Sequence, residues 1–209
     1  MNAAVTTFDE LDAIPVEDGF VWRPIRRRFG IRAFGCNAYT SEGVGRQIVE
    51  DHVEGTGHEE CYVVVRGRAR FTLDGEEVDA PAGTIVFIRD HDVRRGAVAD
   101  EEGTVVLAVG GFAGKAFEVS AWESFFAALP ATQEERWDEA IAIHQEGLRE
   151  HPGHPSVLFN LARIEARAGR PLDALTHLQE AVRRDPPLVA RARDTSDFAA
   201  LRREPGFPG

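Results

Sequence analysis

The chain has 209 residues, of which 43% are hydrophobic and 28% charged, and a formal net charge of −11. That length holds one large or two small domains of a soluble globular type. The acidic surplus excludes a sequence-independent grip on nucleic-acid phosphates and adhesion to an anionic membrane face. No 18-residue apolar run is present, so no membrane span is expected. Residues 1–12 lack a basic segment followed by an apolar one, so no secretion signal is expected. Cys36 and Cys61 are the two cysteines, and they read as reduced, structural thiols of a cytoplasmic protein.

The chain changes character near residue 120. Before that point short β-rich runs alternate with glycine turns. Trp22-Arg23-Pro24 to Ala38-Tyr39-Thr40 reads as a pair of strands, with Arg26-Arg27-Arg28 on a solvated strand edge. Further strands are expected at Ile48-Val49, Tyr62 to Val65, Ala69 to Leu73, Thr84 to Ile88 and Val105 to Val109. Ala69, Phe71 and Leu73 face one way, while Arg68, Arg70 and Thr72 face the other. Asp74-Gly75 between Leu73 and Glu76 is a tight hairpin signal. Closely spaced strands of this kind make a sandwich or barrel. Trp22 and Trp122 are expected to pack as core or junction aromatics.

After residue 120 alanine, leucine, glutamate and arginine recur at helical spacing. A first helix is expected from Ala121 to Leu129, stopped by Pro130, and a second from Glu134 to Glu150. Pro152 and Pro186 lie 34 residues apart, as do Arg136 and Arg170, Glu139 and Asp173, Ala140 and Ala174, and Gly147 and Ala181. Leu161, Ala162, Gly169, Ala174, Leu178, Ala181 and Pro186 follow the large, small, turn and terminating pattern of the tetratricopeptide (TPR) helical hairpin, which this segment resembles. It departs from the pattern at Glu165, where an aromatic is usual. Asp197 to Leu201 reads as a last short helix. His144, His151, His154 and His177 are expected to be solvated at helix ends and surfaces.

Two spacings in the first part carry a second resemblance. Glu60 and Gly67 are separated by six residues, and Gly75 and Pro81 by five, with Pro81-Ala82-Gly83 following. This framework resembles the two motifs of the cupin superfamily, H-x-H, three or four residues, E, six residues, G, and G, five residues, P-x-G. The resemblance implies a jelly-roll β-barrel in which two His, one Glu and a later His converge on a metal ion. Glu60 holds the Glu position. Counting back, the two His positions fall on Glu54 and Thr56, or on Val53 and Gly55, and neither register supplies a histidine. The late His position falls on Arg94, eleven residues after Gly83.

Two readings of the barrel interior follow. In the first, Arg94 replaces the metal and faces Glu60, because a buried carboxylate without a cation is costly. Glu60, Arg94, Tyr62 and Glu54 then bind a small polar or anionic molecule, with no cofactor. Tyr62 shares the face of Glu60, although a core tyrosine satisfied by backbone is the blander account. In the second, His52, His58 and Glu60 form a displaced site for Fe, Mn, Ni or Zn. His91, between two aspartates, reads as an exposed turn residue.

The expected organisation is an N-terminal tail at 1–14, a cupin-like barrel at 15–118, a TPR-like helical domain at 119–204 and a C-terminal tail at 205–209. The tandem resembles bacterial cupin proteins with a TPR tail. The first functional expectation is a non-catalytic ligand-binding barrel whose helices serve a protein partner or cover the barrel. The second, implied by the resemblance, is a metal-dependent oxygenase, isomerase or lyase acting on a small hydroxy acid, sugar or amino-acid derivative. There Tyr62 or Arg94 orients the substrate carboxylate. A homodimer is an expectation from the resemblance alone.

Overall fold

A computed structural model describes residues 4–16, 19–54, 57–115 and 118–208. The chain divides into two compact units, Met1–Glu118 and Val119–Gly209.

Among the described residues the first unit holds ten strands: β1 (Ile14–Pro15), β2 (Phe20–Arg23), β3 (Gly35–Ser41), β4 (Gln47–His52), β5 (Glu59–Arg66), β6 (Arg68–Leu73), β7 (Glu76–Pro81), β8 (Ile85–Ile88), β9 (Arg95–Ala99) and β10 (Val105–Gly111). They pair antiparallel in two sheets, ordered β1-β2-β3-β10-β5-β8 and β4-β9-β6-β7. This is the double-sheet jelly roll, and the sheets do not join edge to edge into a closed cylinder among the described residues. Every expected strand is present. The chain between β2 and β3 is not extended throughout, because Ile25–Phe29 form one helical turn, α1. That turn buries Arg26 at 5% exposure and directs its Nη1 toward the Ile31 carbonyl, so the solvated-edge expectation fails for this arginine. The N-terminal residues expected as a tail are tied down from Phe8 onward. Arg23 Nη1 donates to the carbonyls of Phe8 and Leu11, and Arg66 pairs with Asp9.

Alternation sets the core. Residues of both sheets, among them Ile48, Tyr62, Val64, Ala69, Phe71, Val86, Ile88, Ala97, Ala99 and Val106, pack in one buried cluster, while Arg70 and Thr72 point outward. Burial of this size is the main favourable term holding the sheets together. Two glycines shape the connections. At the β6–β7 hairpin both central residues, Asp74 (φ 49°) and Gly75 (φ 88°), have positive φ, as a type I′ turn requires. At Gly67 (φ 72°) an added Cβ would lie 2.4 Å from Thr104 Oγ1 and 2.9 Å from Thr104 Cα. Only glycine fits where β5 hands over to β6.

The second unit holds α2 (Trp122–Gln133), α3 (Trp137–Glu150), α4 (Pro155–Arg167), α5 (Pro171–Arg184) and α6 (Leu188–Asp194), then two 3-10 turns at Ser196–Phe198 and Leu201–Arg203. Pro130 does not end α2, which runs on to Gln133. Proline in the last turn costs one hydrogen bond, and the Pro130 carbonyl still accepts from Glu134 N–H. Leu158, Phe159, Ala162, Ala174, Leu178, Ala181 and Phe198 make one core, and Ala128, Ala131, Ala140, Ile141, Leu161 and Ile164 another. Small residues at 140, 162, 174 and 181 let the helices approach closely. Trp122 is 38% exposed and is no core residue, unlike Trp22 at 0%. No helix among the described residues is long and apolar enough to cross a membrane.

Candidate functional site

The inward-facing row of β5 is Glu60, Tyr62 and Val64, and the inward-facing row of β9 is Arg95, Ala97 and Ala99. Period-two alternation therefore decides which of two adjacent arginines enters the barrel. Arg95 does, and its side chain is fully buried with Nη2 3.0 Å from Glu60 Oε2. Arg94 does not face Glu60. It points outward, more than half exposed, and pairs with Asp51 at 2.7 Å. There it lines a depression of about 320 Å³ with Gln47, Asp51, Thr72 and Gly75, on the side of the four-stranded sheet away from Glu60. The expected guanidinium is present, but one residue later than counted. The signal that finds it is the i, i+2, i+4 row of Arg95 with the buried Ala97 and Ala99.

Glu60 is held by two neighbours. The Tyr62 hydroxyl donates to Oε2 at 2.9 Å, and Arg95 lies against the same oxygen. Both interactions use Oε2, so Oε1 is left to other partners. Burial, followed by the Glu60 charge, raises the Tyr62 phenol well above its ordinary value, so it stays a neutral donor. Gly110 of β10 stands opposite Glu60 in the register, and a Cβ there would come within 3.4 Å of Glu60 Cγ.

Arg95 Nη1 donates to the carbonyls of Val93 at 2.9 Å and His91 at 3.3 Å. Its Nε and Nη2 are buried without a hydrogen-bond acceptor among the described residues. The 3.0 Å approach of Nη2 to Glu60 satisfies an ion pair by distance but not by hydrogen-bond direction. Charge is balanced there, and donor capacity is not. Asn37, on the inner face of β3 in line with Ala108 and Tyr62, likewise keeps a buried Oδ1 without a partner. Sequence reasoning singled out neither Asn37 nor Gly110, since an isolated Asn or Gly in a strand run carries no motif.

His52 ends β4 directly opposite Arg95 in the β4–β9 register. Ligand atoms of His52, Glu54 and Glu60 all lie within 4.8 Å of one another. His52 Nδ1 is 2.8 Å from the Glu50 carbonyl oxygen. A carbonyl only accepts, so in the neutral ring Nδ1 carries the proton and Nε2 the lone pair. This is how a histidine is oriented to bind a metal. Of the expected displaced triad, His52 and Glu60 meet, and Glu54 takes the third place. His58 is not in the group; its ring stands edge-on to Phe112 with centroids 4.2 Å apart. Gly55 and Thr56, two of the counted-back His positions, lie outside the described residues, and Val53 is exposed.

The donor set is one imidazole and two carboxylates, which suits Mn, Fe or Zn. The arrangement favours a cation, and the residues fit a divalent metal ion.

Two comparisons find likenesses. Residues 131–203 match a tetratricopeptide-repeat family model. Among solved structures the chain is similar to a putative sugar phosphate isomerase from Acidithiobacillus ferrooxidans, at 22% identity and a TM-score of 0.39. The match covers 44% of this chain and 58% of that one, less than two thirds of its length. It is similar to an RmlC-like cupin from Shewanella frigidimarina, at 16% identity, covering 53% of this chain and 91% of that one, with a TM-score of 0.39. A sugar phosphate isomerase of the cupin superfamily from Silicibacter pomeroyi is 16% identical over 53% of this chain and 76% of that one, with a TM-score of 0.44. A comparison with curated proteins finds no match. The fold rests on the strand order and register above, and the barrel's chemistry rests on its own residues.

Proposed function

We propose that the jelly roll is a small-molecule-binding barrel whose receptor is a divalent metal ion held by His52, Glu54 and Glu60. The observation that supports this reading is the convergence of three ligand atoms within 4.8 Å, with the imidazole oriented by a backbone carbonyl. Tyr62 and Arg95 then act behind the ligands, fixing Glu60 through Oε2. Three protein ligands leave coordination positions for a small polar molecule, and the ion supplies Lewis-acid chemistry there. Elemental analysis of protein purified without a histidine tag tests this. The expected result is one Mn, Fe or Zn per chain, removed by chelator and lost in His52→Ala. The content is unchanged in His58→Ala, because that ring packs on Phe112 instead. Metal retained in His52→Ala and lost in His58→Ala would overturn the ligand set.

A second reading is favoured by one observation, the Arg95–Glu60 ion pair, which supplies the carboxylate with a counter-charge from the protein itself. Here the barrel binds a small polar molecule without metal. Metal-free protein whose melting temperature rises with simple polyols, and whose gain disappears in Tyr62→Phe, is the result that selects this reading over the first.

A further inference from the structure

The connection between α3 and α4 carries the run His151-Pro152-Gly153-His154. Proline at the second place and a glycine of φ 74° at the third suit a type II turn, which is closed by His154 N–H donating to the His151 carbonyl at 3.1 Å. Such a turn brings its first and fourth residues together, and here both are histidines. Each end is anchored in a helix. His151 N–H donates to the Gly147 carbonyl of α3, and the His154 carbonyl accepts from Leu158 N–H of α4. The Arg184 guanidinium, paired with Glu180, lies where a Cβ on Gly153 would be.

The expectation that these two imidazoles are solvated fails at one atom of each ring. His151 Nε2 and His154 Nδ1 are buried with no hydrogen-bond partner among the described residues, and the ring centres stand 6.0 Å apart. Buried polar atoms without partners are costly and uncommon. The repeat does not demand imidazoles here. One period later the same two places are filled by Asp185 and Leu188, and Leu188 belongs to the helical core.

We propose that His151 Nε2 and His154 Nδ1 bind one monovalent ion, Cu+, in a site separate from the barrel. One ion between the rings gives both lone pairs a partner. Donor number selects the ion. The group of three or more His, Cys, Asp or Glu ligands found among the described residues is His52, Glu54 and Glu60, so no third such ligand joins this pair. Zn2+ takes three or four protein ligands, whereas Cu+ accepts two. Charge points the same way. Both ligands are neutral, and without a carboxylate or thiolate a half-buried site holds one charge at less desolvation cost than two. Geometry agrees. With a metal–nitrogen bond of about 2.0–2.1 Å, rings 6.0 Å apart subtend roughly 140° at the ion, wider than a tetrahedral angle and toward the linear arrangement of a two-coordinate ion.

The experiment titrates the full chain with Cu+, without oxygen, against a chromophoric copper(I) chelator. It carries Cys36→Ser and Cys61→Ser, so that neither free thiol competes. The expected result is one Cu+ per chain, with affinity unchanged in His52→Ala and lowered at least about tenfold in His151→Gln and in His154→Gln. A second measurement keeps the turn intact in case those variants misfold. In ¹⁵N-histidine-labelled protein, His151 Nε2 and His154 Nδ1 shift together on one equivalent of Cu+, while the His144 and His177 signals stay in place. Absence of Cu+ binding, full affinity in either turn variant, a shift confined to one ring, loss in His52→Ala, or displacement by equimolar Zn2+ overturns the proposal.

Discussion

Glu165 of the helical unit and Glu60 of the jelly roll each meet a basic side chain, and the two are handled differently. Glu165 of α4, 3% exposed, accepts from His177 Nδ1 of α5 at 2.7 Å, a closed pair between two helices. Glu60 sits among Tyr62, Arg95, His52 and Glu54, where Arg95 keeps two buried donors without an acceptor among the described residues. Burial alone does not mark a functional site. Unspent hydrogen-bonding capacity and converging charge do. The helical pair fills a place where the TPR pattern usually sets an aromatic, and it replaces packing with a charge-assisted bond.

The largest expected effect tests which arginine belongs to the barrel. Arg95→Met strands Glu60 beside Glu54 and is expected to cost about 3–5 kcal/mol in urea unfolding. Arg94→Met removes only an exposed pair with Asp51 and costs less than about 1 kcal/mol. Equal losses would refute the placement of Arg95 inside and Arg94 outside. Next comes the framework. Gly67→Ala combines a positive φ with a clash against the Thr104 backbone and costs about 2–3 kcal/mol. Gly83→Ala, at φ 92° but facing open space, is expected to cost less by the same measurement. A Gly67→Ala melting curve matching wild type would refute the close approach.

In the helical unit His177→Ala leaves Glu165 buried without its donor, for about 1.5–3 kcal/mol. The sign of the pH dependence follows from the direction of the shift. The Glu165 hydrogen bond, outweighing burial, raises the His177 pKa above its ordinary value. Its stabilisation is thus fully present below the unfolded value of about 6.5 and lost as pH rises through the folded value. His144, 1% exposed, has its pKa lowered by burial, so it works in reverse, and its contribution is lost as pH falls. His177→Gln should therefore leave a helical unit whose stability rises with pH across this range. Differential scanning calorimetry between pH 5 and 8 checks this, and a pH profile identical to wild type would sink it. The expectation that His144 is solvated fails because it sits on the inward stripe of α3 with Ala140, Ile141 and Gly147.

Much of the fold was legible because it rests on local rules. Asp74-Gly75 announced its hairpin through φ, the 34-residue spacing announced the helical pairs, and Gly67 and Pro81-Ala82-Gly83 marked strand connections whose backbone needs those residues. α6 went unseen, hidden behind Pro186-Pro187, which begins that helix in place of ending the last one. The candidate site was legible in part. Glu60, Tyr62, Glu54, His52, His58 and Arg94 were all named, of which His52, Glu54 and Glu60 converge, Tyr62 bonds to Glu60, His58 packs on Phe112 and Arg94 points outward while Arg95 faces Glu60.

What the sequence determines by itself is the alternation of each strand and the turns between them, since side-chain period and φ are properties of the local chain. Which of two neighbouring arginines enters the barrel, and whether His58 or Glu54 joins His52 and Glu60, depends on cross-strand register. That register is set when β4, β5 and β9 pack against one another, because a one-residue offset sends a side chain from the interior to solvent.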